Sequence, residues 1–388
     1  YIRSLLRRLL NLCGYDSRTD LGVLLGPQLA PIERSPIMTY VSKPEIHHPL
    51  LKVNEIGLNR RDYEGSVSTL CAGCGHDSVS AAIVQACSEL SIPPHRFLKI
   101  SGIGCSSKTP SYFLGNSHGF NSVHGRMPSV ATGANLANRE MYCVGVSGDG
   151  DSASIGLGQF AHIVRRKINM LYIVDNNGTY GLTKGQFSAT NDLGSMSKKG
   201  APTLYAPIDM VSIALQIGAS FVARSFSGDK RQLVPLIKAA IMHKGFAFID
   251  VISPCVLFNN HAGSTKSYDY VREHTEHVVD ADVVLPHEEI TVDYEPGTSE
   301  SVNMPDGSRL HLNKLSTDYD PYDRVKALSH VQEAQERGEV VTGLLYVSRD
   351  PHDCHEILDT TDIPLNALEE SVLCPGASKL EDINQSFR

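Results

Sequence analysis

Apolar positions along the chain follow two rhythms. Unbroken runs such as "MYCVGVSG" from Met141 and "NMLYIVD" from Asn169 read as strands buried on both faces. Between them, "IGLGQFAHIVRR" (Ile155 to Arg166) sets Leu157, Phe160, Ile163 and Val164 at helical spacing, with Arg165 and Arg166 in the last turn. A strand, a crossover helix and a strand make parallel neighbours whose carboxyl ends share one edge of a sheet. "KISG" before Cys105 and "FAFIDVIS" before Cys255 read as further strands, and a helix is expected from near Asp77. From about Asp280 the chain turns acidic and Pro-rich. There "VDYEPGTSESVNMPDGSRLHLNKL" predicts a β-hairpin turning at "PDG", "YDRVKALSHVQEAQERG" a helix ending at Gly338, and "GLLYVS" a late strand. The last residues, "LCPGASKLEDINQSFR", read as an extended tail. The pattern is α/β, with a largely parallel sheet and a C-terminal extension.

Composition narrows the partners. The 388 residues, 41% hydrophobic, are enough for two domains or one enlarged α/β domain. Net charge is −8, from 35 Lys and Arg against 43 Asp and Glu, and no basic run stands out, so nucleic acid is not an expected partner. No apolar run approaches a membrane span. The opening "YIRSLLRRLLNLCGY" is basic and amphipathic but lacks the continuous apolar segment of a secretory signal, so the expected location is the cytoplasm. Met38 opens a more ordinary start, which marks the first 37 residues as an extension whose default is a packing helix.

Two polar clusters bracket the central strand-helix-strand unit: "SGDGD" at Ser147–Asp151 and "DNN" at Asp175–Asn177. Asp149 and Asn177 thus lie just past the ends of neighbouring parallel strands, where α/β sheets bind ligands. A carboxylate, an amide oxygen and a nearby carbonyl form an incomplete set of hard donors that Mg²⁺ accepts when phosphates complete its shell. Gly150 admits close backbone approach, and the next helix aims its N-terminal amides at the same place. Either half alone is equally a pair of turns. Together they resemble the diphosphate-binding motif of thiamine diphosphate enzymes. That resemblance makes Asp149, Asn177 and the Thr179 carbonyl the Mg²⁺ ligands and brings Gly150 and Asp151 against the cofactor. "GDGDSASIGLG" does not have the placement of a nicotinamide fingerprint.

Nine cysteines without a signal segment point to reduced thiols. Cys71 and Cys74 sit in "TLCAGCGHD", Cys105 in "GIGCSSK" and Cys255 in "ISPCVLF", all in loops that can meet at one sheet edge. Four such thiols suit a 4Fe–4S cluster, a structural Zn²⁺ or, for the C-x-x-C alone, a redox pair, while a lone Cys is commonly just buried. Cys13, Cys87, Cys143, Cys354 and Cys374 have no such setting.

"CAGCGH", "GIGCSS", "HGRMPSVATGANLA", "GDGD", "DNNGTYGLTKGQ" and "SPCVLF", in this order and spacing, resemble the β subunit of 2-oxoacid:ferredoxin oxidoreductases, the 2-oxoglutarate-specific branch above all. The resemblance is strong from about Tyr40 to Asn260 and weaker beyond. It implies a three-layer α/β/α thiamine diphosphate-binding fold. Cys71, Cys74, Cys105 and Cys255 would hold a 4Fe–4S cluster next to thiamine diphosphate. The implied reaction takes 2-oxoglutarate and coenzyme A to succinyl-CoA and CO₂, or the reverse, with electrons leaving to ferredoxin. Implied partners are an α or fused αγ subunit, ferredoxin, coenzyme A and the 2-oxoacid. Pyruvate or another oxoacid as substrate, a non-redox thiamine-dependent decarboxylase, and a non-catalytic electron carrier stay open as alternatives.

Other residues follow from motif position. His76 and His124 could contact the diphosphate or the reacting carbonyl, or be structural histidines. Lys108 and Lys184 flank the two loops and could meet the distal carboxylate of a dicarboxylic substrate, or be solvated. Gly104, Ser106, Gly181 and Leu182 are matched to cofactor or substrate contacts by the resemblance alone, and Arg126 could bind a carboxylate or cap a helix. The expected organisation is an extension over 1–60, a cofactor-binding domain over 61–275 and a region over 276–388 packing on it or on a partner.

Overall fold

The computed structural model describes residues 52–194, 202–256, 290–304, 309–374 and 376–387. Cys13 and the "PDG" turn lie outside the described residues, as do the predicted packing helix at the start and residues 280–289 of the acidic segment. The described residues all fall in one compact unit, Ser42–Arg388.

Helix α1 (Gly75–Glu89) leads into β1 (Phe97–Ser101), β2 (His118–Asn121), α2 (Met127–Ala137), β3 (Tyr142–Gly148), α3 (Leu157–Arg165) and β4 (Met170–Asn176). A two-stranded hairpin, β5 (Thr179–Tyr180) and β6 (Gln186–Phe187), precedes α4 (Met210–Ile217), β7 (Phe221–Phe226), α5 (Lys230–Met242) and β8 (Phe246–Ile252). After the acidic segment come β9 (Ser299–Asn303), β10 (Arg309–Lys314), α6 (Arg324–Glu336), β11 (Glu339–Val347), α7 (Cys354–Leu358) and α8 (Ala377–Ser386). The main sheet has nine strands in the order β2-β1-β3-β4-β8-β7-β11-β10-β9. From β2 to β7 every pairing is parallel; β11 joins β7 antiparallel, and β9 and β10 form an antiparallel pair.

Alternation along the strands divides the core into two faces. Tyr172 and Val174 of β4 pack with Phe160 and Ile163 of α3, Met127 of α2, Val211 of α4 and Val331 of α6. Leu171 and Ile173 of the same strand pack on the other face with Val79 and Ile83 of α1 and Leu233 and Ile237 of α5. The result is the expected α/β/α sandwich.

Three details depart from the sequence expectation. The helix predicted from Ile155 is preceded by a π-helical turn, Gly150–Ile155, and α1 starts at Gly75, ahead of Asp77. The final residues are not extended. Once Gly376 (φ +88°) has broken the chain direction, Ala377–Ser386 contains no Gly or Pro and forms α8, with Lys379 and Asp382 paired one turn apart at 3.7 Å. The region after residue 290 does more than pack on the sheet: β11 extends it directly.

Candidate active site

Loops at the carboxyl edge of β1, β3, β4 and β8 and the N-terminus of α1 converge on a buried polar centre. Asp149, just past β3, is 1% exposed. Its Oδ1 accepts from the Asn177 amide at 3.3 Å, while Oδ2 accepts from Thr190 Oγ1 at 2.8 Å and from Ser188 Oγ. Asn177 accepts from the Thr179 amide at 3.0 Å through Oδ1, and its Nδ2 lies 3.4 Å from His76 Nε2. His76 Nδ1 meets Ser253 Oγ at 2.6 Å. Ser188, Thr190 and Ser253 were silent in the sequence, because small hydroxyl residues in "QFSATN" and "VISPC" look like any turn.

Asp175 is the unexpected member. It is fully buried on β4, and both carboxylate oxygens have no hydrogen-bond partner. Burial, with Asp149 nearby as a like charge, pushes its pKa well above the usual carboxylate range, and burial raises that of Asp149 in spite of the hydroxyl donors. The nearest basic group is His76, whose Nδ1 is 3.7 Å from Asp175 Oδ2, but burial lowers that imidazole to about 4 and leaves it neutral at pH 7. Two buried carboxylates without a balancing cation among the described side chains are a chemistry that a divalent cation completes.

Asp151 plays a different part. Its Oδ1 accepts from the amides of Gly125 (2.7 Å) and Ile103 (3.2 Å) and from His124 Nδ1, and its Oδ2 from Ser147 Oγ at 2.5 Å. The carboxylate therefore stitches two loops to the end of β3. A Cβ at Gly102 would lie 1.8 Å from Asp151 Oδ2, so that position requires glycine. His124 is partly exposed and packs edge-on against Tyr180, with centroids 6.1 Å apart. Tyr180 in turn donates to the Gly150 carbonyl at 3.0 Å, and a Cβ on Gly150 would come within 2.5 Å of its ring.

The four singled-out cysteines share one neighbourhood. A Cβ built on Gly181 would lie 3.4 Å from Cys255 Sγ and 3.5 Å from Cys105 Sγ. Cys71 raises the Cys105 thiol electrostatically and Cys255 does the same to Cys74, although burial is the main cause in both. The Gly75 amide donates to the Pro254 carbonyl at 3.4 Å, joining the C-x-x-C loop to the Cys255 loop. None of the four is in a disulfide, and no three His, Cys, Asp or Glu side chains among the described residues are arranged to hold a single metal ion. Cys87, Cys143 and Cys354 are buried in the core.

Lys108 is half-buried one turn from Cys105, whose thiol it favours as thiolate. Ser106 is buried, its hydroxyl 2.8 Å from where a Gly148 Cβ would stand, and Gly104 adopts φ +139°. Lys184 is exposed in a left-handed turn (φ +81°), beside exposed Leu182, and Arg126 opens α2 as its N-cap residue.

Residues 102–251 match the family described as "Thiamine pyrophosphate enzyme, C-terminal TPP binding domain". The parallel sheet and its carboxyl-edge loops are thus those of a thiamine diphosphate-binding fold. The chain is 41% identical over 189 residues to the 2-oxoglutarate synthase subunit KorB of Methanocaldococcus jannaschii, covering 48% of this chain and 68% of that one. It is also 41% identical over 191 residues to the 2-oxoacid:ferredoxin oxidoreductase subunit beta of Saccharolobus solfataricus, covering 49% and 63%. A solved 2-oxoglutarate:ferredoxin oxidoreductase from Magnetococcus marinus, with 2-oxoglutarate, coenzyme A and succinyl-CoA bound, superimposes with TM-score 0.62 at 29% identity over 79% of this chain and 90% of that one. The chain belongs to the 2-oxoacid:ferredoxin oxidoreductase β-subunit family. Its matches span 60 to 63% of the length of several of these curated relatives.

Proposed function

We propose that this chain is the catalytic β subunit of a CoA-acylating 2-oxoglutarate:ferredoxin oxidoreductase. The observation that carries the reading is one loop: Asn177 to Gly181 joins the Asp149 carboxylate site to the thiols of Cys105 and Cys255. A diphosphate site and a thiolate cluster in direct covalent succession suit a reaction that removes CO₂ and passes on an electron pair. Bound thiamine diphosphate supplies the electron sink, and a 4Fe–4S cluster supplies the one-electron exit.

The chain's own residues bind and orient. Asp149, Asn177 and the Thr179 carbonyl hold Mg²⁺ against the diphosphate, with Ser188 fixing the Asp149 carboxylate. His76, neutral and tied to Ser253, keeps the Asn177 amide in place. Asp151 and His124 close the loops around the cofactor, and Gly150 contacts it. Cys71, Cys74, Cys105 and Cys255 ligate the cluster, one thiolate for each iron. Gly104, Ser106, Gly181 and Leu182 line the cofactor and substrate side, and Lys108, half-buried where Lys184 is exposed, is the better placed to meet the distal carboxylate. The relatives named for 2-oxoglutarate, and the neighbour's bound 2-oxoglutarate and coenzyme A, support the substrate choice. An α or αγ partner, coenzyme A and ferredoxin complete the reaction. Reduced thiols and the absence, among the described residues, of a helix long and apolar enough to cross a membrane accord with a cytoplasmic setting.

The test is anaerobic co-expression with the partner subunit, followed by iron and acid-labile sulfide analysis and turnover with 2-oxoglutarate, pyruvate and branched oxoacids. CoA-dependent viologen reduction fastest with 2-oxoglutarate is expected. An iron-free protein that decarboxylates without reducing the dye would overturn the redox reading.

A further inference from the structure

Behind Asp149 runs a partly buried chain of polar side chains whose hydrogen-bond direction is fixed from Arg224 as far as Asn176. Arg224 on β7 donates Nε–H to Asp250 Oδ2 at 2.8 Å and an Nη2 hydrogen to Asp209 Oδ1 at 2.5 Å. Asp209 caps α4 through the amides of Val211 and Ser212 and also receives Gln335 Nε2 from α6. On the other side, Asp250 Oδ1 accepts from Asn176 Nδ2 at 3.1 Å, which turns Asn176 Oδ1 toward Thr190 Oγ1 at 3.0 Å. That same hydroxyl stands 2.8 Å from Asp149 Oδ2 and 2.9 Å from Ser188 Oγ.

The direction is fixed by chemistry. A guanidinium only donates and a carboxylate only accepts, so the Asn176 amide cannot flip without setting its oxygen against Asp250. Thr190 has a single proton, and it faces acceptors on both Asn176 and Asp149. A carboxylate that gives up one donor keeps more negative charge for a cation.

We propose that Arg224, Asp250 and Asn176 form a positioning relay that offers Thr190 an alternative acceptor, so that its hydroxyl proton turns from Asp149 to Asn176 when Asp149 engages a divalent cation. The relay rests on the reading of Asp149 as a cation ligand. Through Asp209 and Gln335 it also ties the cation site to α6 of the C-terminal region, more than 150 positions away in sequence (335 − 149 = 186).

The experiment measures Mn²⁺ affinity of the full chain with thiamine diphosphate, from the loss of the free-ion electron paramagnetic resonance signal, together with the melting temperature. In Asp250→Asn, Arg224 holds the new amide oxygen, the new NH₂ faces residue 176, and the Asn176 amide must reverse. Thr190 then meets a donor and commits its proton to Asp149 or Ser188. Affinity should fall about tenfold, the low end of second-shell effects on metal sites. Adding Asn176→Asp restores an acceptor facing Thr190 but returns no charge to position 250. Affinity should recover while the melting temperature stays lowered. Thr190→Val should bind Mn²⁺ at least as tightly as the unsubstituted chain, which keeps the relay testable even if the Asp250 variants do not fold. Affinity that follows the melting temperature through both Asp250 variants, or a loss of affinity in Thr190→Val, overturns the relay. Unchanged Mn²⁺ binding in Asp149→Ala overturns the cation site itself, and the relay with it.

Discussion

β3 and β4 end in two contrasting environments. At their amino edge is a cavity of about 270 Å³, bordered by Arg139, Asn169, His243 and Lys244. Its cations are answered within the chain, Arg139 by Asp362 at 2.5 Å and Lys244 by Glu356. At the carboxyl edge, Asp149 and Asp175 are buried with no lysine or arginine partner among the described residues, and four thiols gather nearby. The same strands carry both ends, so the difference lies in the loops. One edge balances its own charges; the other has a deficit of positive charge that suits an incoming metal and cofactor.

The strongest way to break this contrast is to remove one of the proposed cluster ligands. Cys255→Ala should lose most of its iron and acid-labile sulfide, because a cubane needs a ligand at each iron, whereas Cys143→Ala, at the amino edge, should keep both. Equal losses would mean that the cysteines serve folding alone. Next in size, Asp149→Ala should weaken Mg²⁺-dependent thiamine diphosphate binding by more than about 100-fold, beyond what second-shell changes produce, with the iron-sulfur spectrum intact. Calorimetric titration of the two cofactors checks it.

A smaller effect sharpens the carboxyl edge. Lys108→Met should lower kcat/KM for 2-oxoglutarate by about 1.5 to 3 kcal/mol, the range for a hydrogen bond to a charged group, and spare pyruvate. Lys184→Met, changing an exposed side chain, should do less. A proportional loss on both oxoacids would assign specificity to the partner subunit.

The amino edge gives the mildest prediction. Burial lowers His243 to about 4, and its Nε2 meets Ser220 Oγ at 2.8 Å. As pH falls below the unfolded value near 6.5, the unfolded chain takes up a proton that the folded one refuses until about 4. Stability should therefore decline across that window, a decline that buried His76 shares, and His243→Gln should make it shallower without changing cofactor content. A melting curve equally steep in the variant would assign the acid sensitivity elsewhere.

Much of the carboxyl edge was legible in advance because its chemistry sits on local signals. Asp149 and Asn177 follow apolar runs that break abruptly, Cys105 and Cys255 stand beside a glycine and a proline at strand ends, and Cys71 and Cys74 lie in a Gly-rich loop ahead of a helix. Ser188, Thr190 and Ser253 were not legible, since nothing local shows that a loop folds back onto a carboxylate. Asp175 was hidden for the opposite reason: a charged residue at the end of an apolar run looks like the end of burial, yet it is fully enclosed. The antiparallel attachment of β11 to β7 depends on long-range pairing that periodicity does not encode. The exposed helix α8 was misread because the "CPG" ahead of it signals a break and says nothing of what resumes beyond.

Gly181 has no side chain in a loop that passes beside the sulfur atoms of Cys255 and Cys105. A backbone with nothing projecting from it is a spacer of minimum thickness. On the proposed reading, the cofactor ligands and the cluster ligands are separated by little more than a bare strand of peptide. Electron tunnelling decays steeply with distance, so this glycine would act as a gauge for the rate at which charge leaves the reaction centre.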